Sequence, residues 1–140
     1  MIKIITQAAQ NFLNNDLELS TVDSDKLVEQ GYISLITATT IKDKHEVYIS
    51  CCSDFLRIIS DVMLFDDNPD TETMDDLNKE LNNIIIGSAK VLAEQNDLAS
   101  FNISTPISLG EKKFDIEYDA TSTLSIDDKR LTIAIKKLID

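Results

Sequence analysis

The sequence predicts a single α+β domain over residues 1–140, with about three helices packed on a mixed, mainly antiparallel sheet of about six strands. Apolar residues recur at helical spacing in some segments. Other segments are rich in β-branched residues or alternate in polarity, and polar turns between them predict hairpins. The elements follow in the order helix, strands, two helices, strands. This order indicates a pseudo-repeat of a helix plus three strands, and the chain length suits one domain.

The first half contains one helix, a short extended segment and a hairpin. Residues 2–15 place isoleucine, alanine, phenylalanine and leucine at helical intervals, so we expect a helix there. Residues 17–22 read as extended. The β-branched run 32–41, the polar segment 42–46 and the run 47–51 predict two strands joined by a turn.

Two helices follow the hairpin. Ser53 is expected to cap a helix through residues 54–64. The acid-rich sequence FDDNPD then breaks the chain. Thr73 with Asp76 forms an S/T-x-x-acid pattern, which predicts the start of a long helix over residues 74–95.

The last part of the chain reads as strands. Residues 101–105 alternate in polarity, and residues 112–120 alternate more clearly. Residues 121–126 and 131–138 flank the polar turn 127–130 and predict a closing hairpin.

The composition limits the classes of partner. Apolar residues make up 43% of the chain, charged residues 27%, and the formal net charge is −12. Phosphate backbones and anionic lipids repel such a domain, so we expect neither nucleic acid nor membrane as a partner. The first residues are too rich in amides for a signal peptide, and no apolar run approaches the roughly 20 residues of a membrane span. We therefore expect a cytoplasmic protein.

The usual catalytic and metal-binding patterns are missing from the sequence. Cys51 and Cys52 are adjacent and lack zinc-type spacing, so we expect one buried and one partly exposed thiol. His45, the single histidine, is expected to be exposed in the hairpin turn. The sequence predicts no metal site and no cofactor-binding site of the chain's own, since it has no glycine-rich phosphate loop or calcium-loop spacing either.

The long predicted helix has two distinct faces. At about 100° per residue, an apolar arc gathers on one side and is expected to face the core. Its members are Leu77, Leu81, Ile84, Ile85, Ser88 and Leu92. A polar arc gathers on another side and is expected to face solvent. Its members are Asp76, Glu80, Asn83, Gly87, Lys90 and Glu94.

Three residues of the polar arc invite a functional interpretation. Glu80 and Asn83 rise together from adjacent turns, so a carboxylate and an amide can engage a cation and a water at once. Gly87 costs a helix interior about 1 kcal/mol relative to alanine, and it permits a close approach from outside. Two ordinary alternatives stay open: a solvated helix flank, and close packing of Gly87 against another part of this chain.

The pattern Glu80-x-x-Asn83, then Gly87 and Lys90, in the context KELNNIIIGSAK, resembles the active helix of CheX-type chemotaxis phosphatases, within the wider CheC/CheX/FliY group. The flanking sequences VYISCCSDFLRIISDVMLFDDN and SFNISTPISLG resemble the elements on either side of that helix. The resemblance covers residues 30–110 and implies a single CheX-like domain.

The resemblance implies a phosphatase acting on the aspartyl phosphate of a CheY-type response regulator. Asn83 would position the attacking water, Glu80 would dock to the regulator's active-site lysine, and Gly87 would support close contact. The Mg²⁺ would be supplied by the regulator. The family also implies a homodimer. The first helix has no acid before Asp16, so it has no acid-x-x-Asn pair. We therefore expect one site of this kind, and we expect it in the long helix.

Alternatives to this interpretation remain. Asp75-x-x-Asn78 has the same acid-x-x-Asn spacing, although its acid lies in the first helical turn, where the helix dipole explains it. A second functional hypothesis is a non-catalytic module of the same fold that binds a response regulator or a flagellar-switch component. A third is a structural dimerisation domain.

Overall fold

A computed structural model of the chain describes residues 1–98 and 100–138. Within these residues the helices are α1 (Ile2–Gln10), α2 (Ser53–Leu64) and α3 (Thr71–Gln95), and a π-helical segment, Asn11–Asp16, continues α1. The strands in the same residues are β1 (Val22–Ser24), β2 (Gln30–Thr39), β3 (Lys44–Cys51), β4 (Asn102–Ile103), β5 (Ile107–Lys113), β6 (Ala120–Ile126) and β7 (Lys129–Leu138).

The strands form one sheet, in the order β1-β6-β7-β3-β2, with β4 and β5 both pairing with β2 at its other side. Every pairing between described strands is antiparallel. The helices pack on one face, where Ile36, Val47, Ile49 and Ile133 join their apolar side chains in the core. The predicted α+β class and the mainly antiparallel sheet are therefore confirmed, with seven strands in the described residues instead of about six.

The predicted hairpins are confirmed. β2 pairs with β3 from Tyr32–Cys51 to Thr39–Lys44, and β6 pairs with β7 around a turn at residues 127–128. Both hairpins join β-branched strands through polar turns, which is the combination that sequence patterns predict best.

Three predicted segments are wrong in extent. The α-helix expected over 2–15 changes to a π-helical turn after residue 10. The strand expected over 17–22 starts only at residue 22. Residues 114–118, expected inside a strand, have no regular structure, and the rings of Phe114 and Tyr118 lie there in a tilted contact with centroids 6.1 Å apart.

Both predicted helix caps are also wrong. Ser53 is the first residue of α2, and the capping position is Cys52, which makes no side-chain hydrogen bond there. α3 begins three residues earlier than predicted, because the Asp70 carboxylate accepts a hydrogen bond of 2.8 Å from the Thr73 amide. This hydrogen bond lowers the pKa of Asp70. Thr73 is thus the partner of a cap rather than the cap itself.

Gly31 lies against the carbonyl group of Cys51, beside the Tyr32–Cys51 pair at one end of the β2–β3 ladder. A Cβ atom at this position would overlap the carbonyl oxygen of Cys51 and lie 2.6 Å from its carbonyl carbon. Backbone atoms cannot move aside as a flexible side chain can. We expect Gly31→Ala to lower the free energy of unfolding by about 2 kcal/mol, as overpacked sites do. Urea unfolding would measure this, and an unchanged midpoint would contradict it.

Candidate functional site

α3 presents Glu80 and Asn83 to solvent. The two residues lie three positions apart in the middle of the helix, and both are exposed. None of the side-chain hydrogen bonds and ion pairs among the described residues involves either of them. Their carboxylate and amide groups therefore have no hydrogen-bond or ion-pair partner within residues 1–98 and 100–138, and solvent reaches both.

The other residues of the predicted polar arc behave as expected in exposure. Asp76 and Glu94 are exposed, and Lys90 is half-buried. No ion pair joins Lys90 to Glu94 among the described residues; the Glu94 carboxylate instead accepts a hydrogen bond of 2.8 Å from the Ser100 hydroxyl. Asp76 lies 3.6 Å from Lys79, in a pair whose carboxylate is largely exposed, so it adds little stability.

Gly87 faces open space. A Cβ atom built on it would meet nothing within 4 Å among the described residues. The alternative of close packing against this chain's own elements is therefore wrong. The helix carries a glycine one turn from Asn83 where alanine would fit, and contacts with the described residues do not explain it.

The alternative pair Asp75 and Asn78 does not form a site. Asn78 is 1% exposed, and its amide nitrogen donates a hydrogen bond of 3.0 Å to the carbonyl oxygen of Tyr32. A partner protein cannot reach this amide without unpacking the helix. Glu80 and Asn83 are the pair on α3 that solvent reaches.

The predicted core arc of α3 is displaced. Ile84, Ser88 and Leu92 are only partly buried. The fully buried residues lie further round the helix: Met74, Leu77, Asn78, Leu81, Asn82, Ile85, Ile86, Ala89 and Ala93. Asn78 and Asn82 were missed because apolarity was the criterion. The sequence did offer a signal for them: two asparagines four positions apart, among leucines and isoleucines, lie on the same face of a helix.

Other reactive side chains offer no competing site. His45 lies in β3 rather than in the turn and is half-buried rather than exposed, and burial lowers its pKa. Cys51 is buried and Cys52 half-buried, as predicted, and burial raises the pKa of the Cys51 thiol. A protonated buried thiol is inert.

The described part of the chain contains neither a cluster of metal ligands nor a helix that could span a membrane. No group of three or more histidine, cysteine, aspartate or glutamate side chains there could hold a metal ion. None of the helices in residues 1–98 and 100–138 combines the length and apolarity that crossing a bilayer requires.

Comparison with known proteins bears on the exposed pair. Residues 36–127 match the model of a family described as chemotaxis phosphatase CheX. This match begins within β2 and includes β3, α2 and the whole of α3, so it includes Glu80, Asn83 and Gly87. No curated protein matches the chain.

Solved structures share the fold over nearly the whole chain. The chemotaxis protein CheX from Vibrio vulnificus superposes with a TM-score of 0.85 at 17% identity, covering 98% of this chain and 95% of that one. A CheC-like protein from Shewanella oneidensis gives 0.78 at 21% identity, covering 98% and 97%. A CheX–CheY–BeF3–Mg²⁺ complex from Borrelia burgdorferi gives 0.73 at 16% identity, covering 99% and 97%.

Proposed function

The chain belongs to the chemotaxis phosphatase CheX family, and from that premise we propose that it removes the phosphoryl group from the aspartyl phosphate of a CheY-type response regulator. The observation that carries this proposal is the exposed and unpaired Glu80 and Asn83 on α3. A related chain binds CheY with BeF3 and Mg²⁺, in which the beryllofluoride stands in for the phosphoryl group. Such a complex is the state that a phosphatase of this kind must recognise.

Asn83 orients the attacking water. Its amide oxygen accepts a hydrogen bond from the water, while its amide nitrogen can donate one to a phosphoryl oxygen. The water attacks phosphorus as the bond from phosphorus to the aspartyl oxygen breaks. The aspartate leaves as a carboxylate, and both protons of the water leave with the inorganic phosphate that forms. An amide is too weak a base to remove the proton, but phosphoryl transfer of this kind depends mainly on positioning and electrostatics.

Glu80 fixes the docking. Its carboxylate pairs with the ammonium group of the regulator's active-site lysine. Glu80 and Asn83 rise from adjacent turns, so a lysine held by one places the phosphoryl group near the other. The ion pair is a charge-assisted contact, which gives both attraction and orientation.

The metal ion comes with the partner. Mg²⁺ prefers oxygen ligands and usually bridges carboxylates and phosphate oxygens. The regulator's own acidic site would hold it against the phosphoryl group, where it neutralises developing charge. The residues of α3 then need to supply only a carboxylate for the lysine and an amide for the water.

Gly87 allows the regulator's surface to lie close to α3. This role predicts that a larger side chain at position 87 changes stability and affinity in opposite directions. Gly87→Ala should raise the free energy of unfolding by about 1 kcal/mol, because alanine favours the helix and the space is open. The same change should weaken binding to a beryllofluoride-activated regulator, and Gly87→Leu should weaken it further. Isothermal titration calorimetry would measure both variants. Unchanged affinity for Gly87→Leu would contradict the role.

We also expect a homodimer. β5 pairs only with β2 among the described strands, and Ile107 and Leu109 on it are 56% and 39% exposed. An edge strand with exposed apolar side chains favours addition of a strand from another chain. Light scattering after size-exclusion chromatography should give twice the 15.7 kDa mass of the chain. A single-chain mass at micromolar concentration would contradict the expectation.

The rival hypothesis is a non-catalytic binding module of the same fold. Release of inorganic phosphate from a phosphorylated CheY-type regulator, with Mg²⁺ present, separates the two. We expect the wild-type chain to speed release well beyond the regulator's own rate at substoichiometric concentration. Tight binding to the beryllofluoride-activated regulator without faster release would favour the binding module. If the chain neither bound the regulator nor sped phosphate release, both hypotheses would be rejected.

A further inference from the structure

A buried polar network lies beneath the exposed pair. The Asn82 amide nitrogen donates to the Ser34 hydroxyl at 3.1 Å and approaches the Val47 carbonyl oxygen at 3.5 Å. The Asn78 amide nitrogen donates to the Tyr32 carbonyl oxygen at 3.0 Å. The Ser34 hydroxyl donates in turn to the main-chain carbonyl oxygen of Asn78 at 3.3 Å. These contacts join consecutive turns of α3 to β2 and β3.

Burial of this polar network costs folding free energy relative to an apolar core. Asn82 and Ser34 are 0% exposed and Asn78 is 1% exposed. The side-chain oxygens of Asn78 and Asn82 find no hydrogen-bond partner among the described residues. Leucine at either position would bury apolar surface without an unpaired oxygen, so stability alone does not explain the two asparagines. Buried polar groups are best known for specifying one register among several.

Apolar burial leaves the rotation of α3 poorly determined. Ile84, Ile85 and Ile86 are consecutive, so they span about 200° of the helix circumference. With Glu80 at zero and 100° per residue, the apolar arc predicted from the sequence centres at about 90°. The residues actually buried centre at about 160°. Asn78 and Asn82 lie near the middle of that buried arc, at about 160° and 200°.

The rotation decides where the functional pair points. With the buried arc at about 160°, the outward direction is about 340°, and Glu80 and Asn83 lie within about 40° on either side of it. With the buried arc at about 90°, Glu80 would lie about 90° away from the outward direction, on the flank of the helix. Only the observed rotation lets both side chains reach into one partner.

We propose that Asn78 and Asn82 are positioning residues, which turn α3 about its axis through Ser34 and Tyr32 so that Glu80 and Asn83 face outward together. The proposal rests on the proposed phosphatase function for its kinetic consequence. The rotation itself does not depend on that function and has its own test.

The kinetic test uses Asn82→Ala and Ser34→Ala, with Ile85→Val as the matched control. Ile85 lies on the same buried face of α3 but has no polar contact. All variants are assayed far below their unfolding temperatures. We expect kcat for the phosphorylated regulator to fall about 10- to 100-fold for both network variants, since a small misplacement of a positioned group costs that much. The control should keep its kcat.

A double variant tests whether Asn82 and Ser34 act as one unit. Because they share a single contact, Asn82→Ala with Ser34→Ala should lower kcat little more than either change alone. Losses of kcat that multiply would overturn the shared role. So would a kcat for Asn82→Ala equal to that of Ile85→Val, since the asparagine would then serve only stability.

Thiol labelling tests the rotation without any activity. Ile86→Cys, in a Cys52→Ser background, places a reporter that is 0% exposed in the parent and would emerge if α3 turned toward its apolar arc. We expect Asn82→Ala to speed labelling about tenfold beyond an Ile85→Val protein at conditions of equal global stability. Equal labelling rates overturn the positioning role. If labelling accelerates but the wild-type chain never speeds phosphate release, the proposed function fails and the rotation stands.

Discussion

Asn83→Ala is expected to lower kcat for the phosphorylated regulator by about 100-fold while leaving folding and docking intact, because loss of the amide removes the orientation of the water and little else. Asn83 is exposed and forms no hydrogen bond with the described residues, so its removal creates neither a cavity nor an unpaired buried group. Stopped-flow detection of inorganic phosphate would measure kcat and KM separately.

Gln95→Ala is the matched control for this prediction. Gln95 also carries an exposed amide on α3 but lies at its C-terminal end, three turns away from Asn83. The control should keep both kcat and KM. A raised KM with an unchanged kcat for Asn83→Ala would assign the residue to docking rather than to the water.

Glu80→Gln is expected to act on docking instead. It removes one charge from an ion pair that becomes desolvated only in the complex, so we expect Kd for the beryllofluoride-activated regulator to rise about 10-fold. Reversal of the charge in Glu80→Lys should raise Kd further, because it places two cations together. Titration calorimetry at several salt concentrations would show the wild-type affinity falling with salt and the Glu80→Gln affinity falling less.

Glu72→Gln provides the control for net charge. It removes the same unit of negative charge from an exposed position in the first turn of the same helix, two turns before Glu80. If Glu72→Gln weakened the complex as much as Glu80→Gln, the effect would be long-range attraction to an acidic surface and not a specific pair.

The fold was predictable where local chemistry and tertiary structure agree. Strands β2 and β3 are rich in β-branched residues and are joined by a polar turn, so their pairing follows from the sequence. β5 was missed because ISLGEKK is mostly polar, as suits an edge strand exposed along much of its length. Asp70 was missed as a cap because several acids and threonines crowd the same few positions, and only geometry selects among them.

The exposure of the candidate residues was predictable, but the buried contacts beneath them were not. Glu80, Asn83 and Gly87 follow from a motif and from the cost of a helical glycine, and all lie where solvent reaches them. The buried partners of α3 could not be predicted from apolar spacing. Asn82 lies beside Asn83 in sequence but about 100° further round the helix. There its amide nitrogen donates a hydrogen bond to the Ser34 hydroxyl on β2, a contact 48 residues apart along the chain.

The most direct measurement of the central claim follows phosphoryl loss from a phosphorylated CheY-type regulator in Mg²⁺ at increasing concentrations of the wild-type chain and of Asn83→Ala. The account predicts a rate that rises to a plateau with the wild-type chain. With Asn83→Ala the rate should stay close to the regulator's own rate even where the complex is fully formed. A wild-type rate no faster than that of the regulator alone, or an Asn83→Ala rate equal to the wild-type rate, would contradict it.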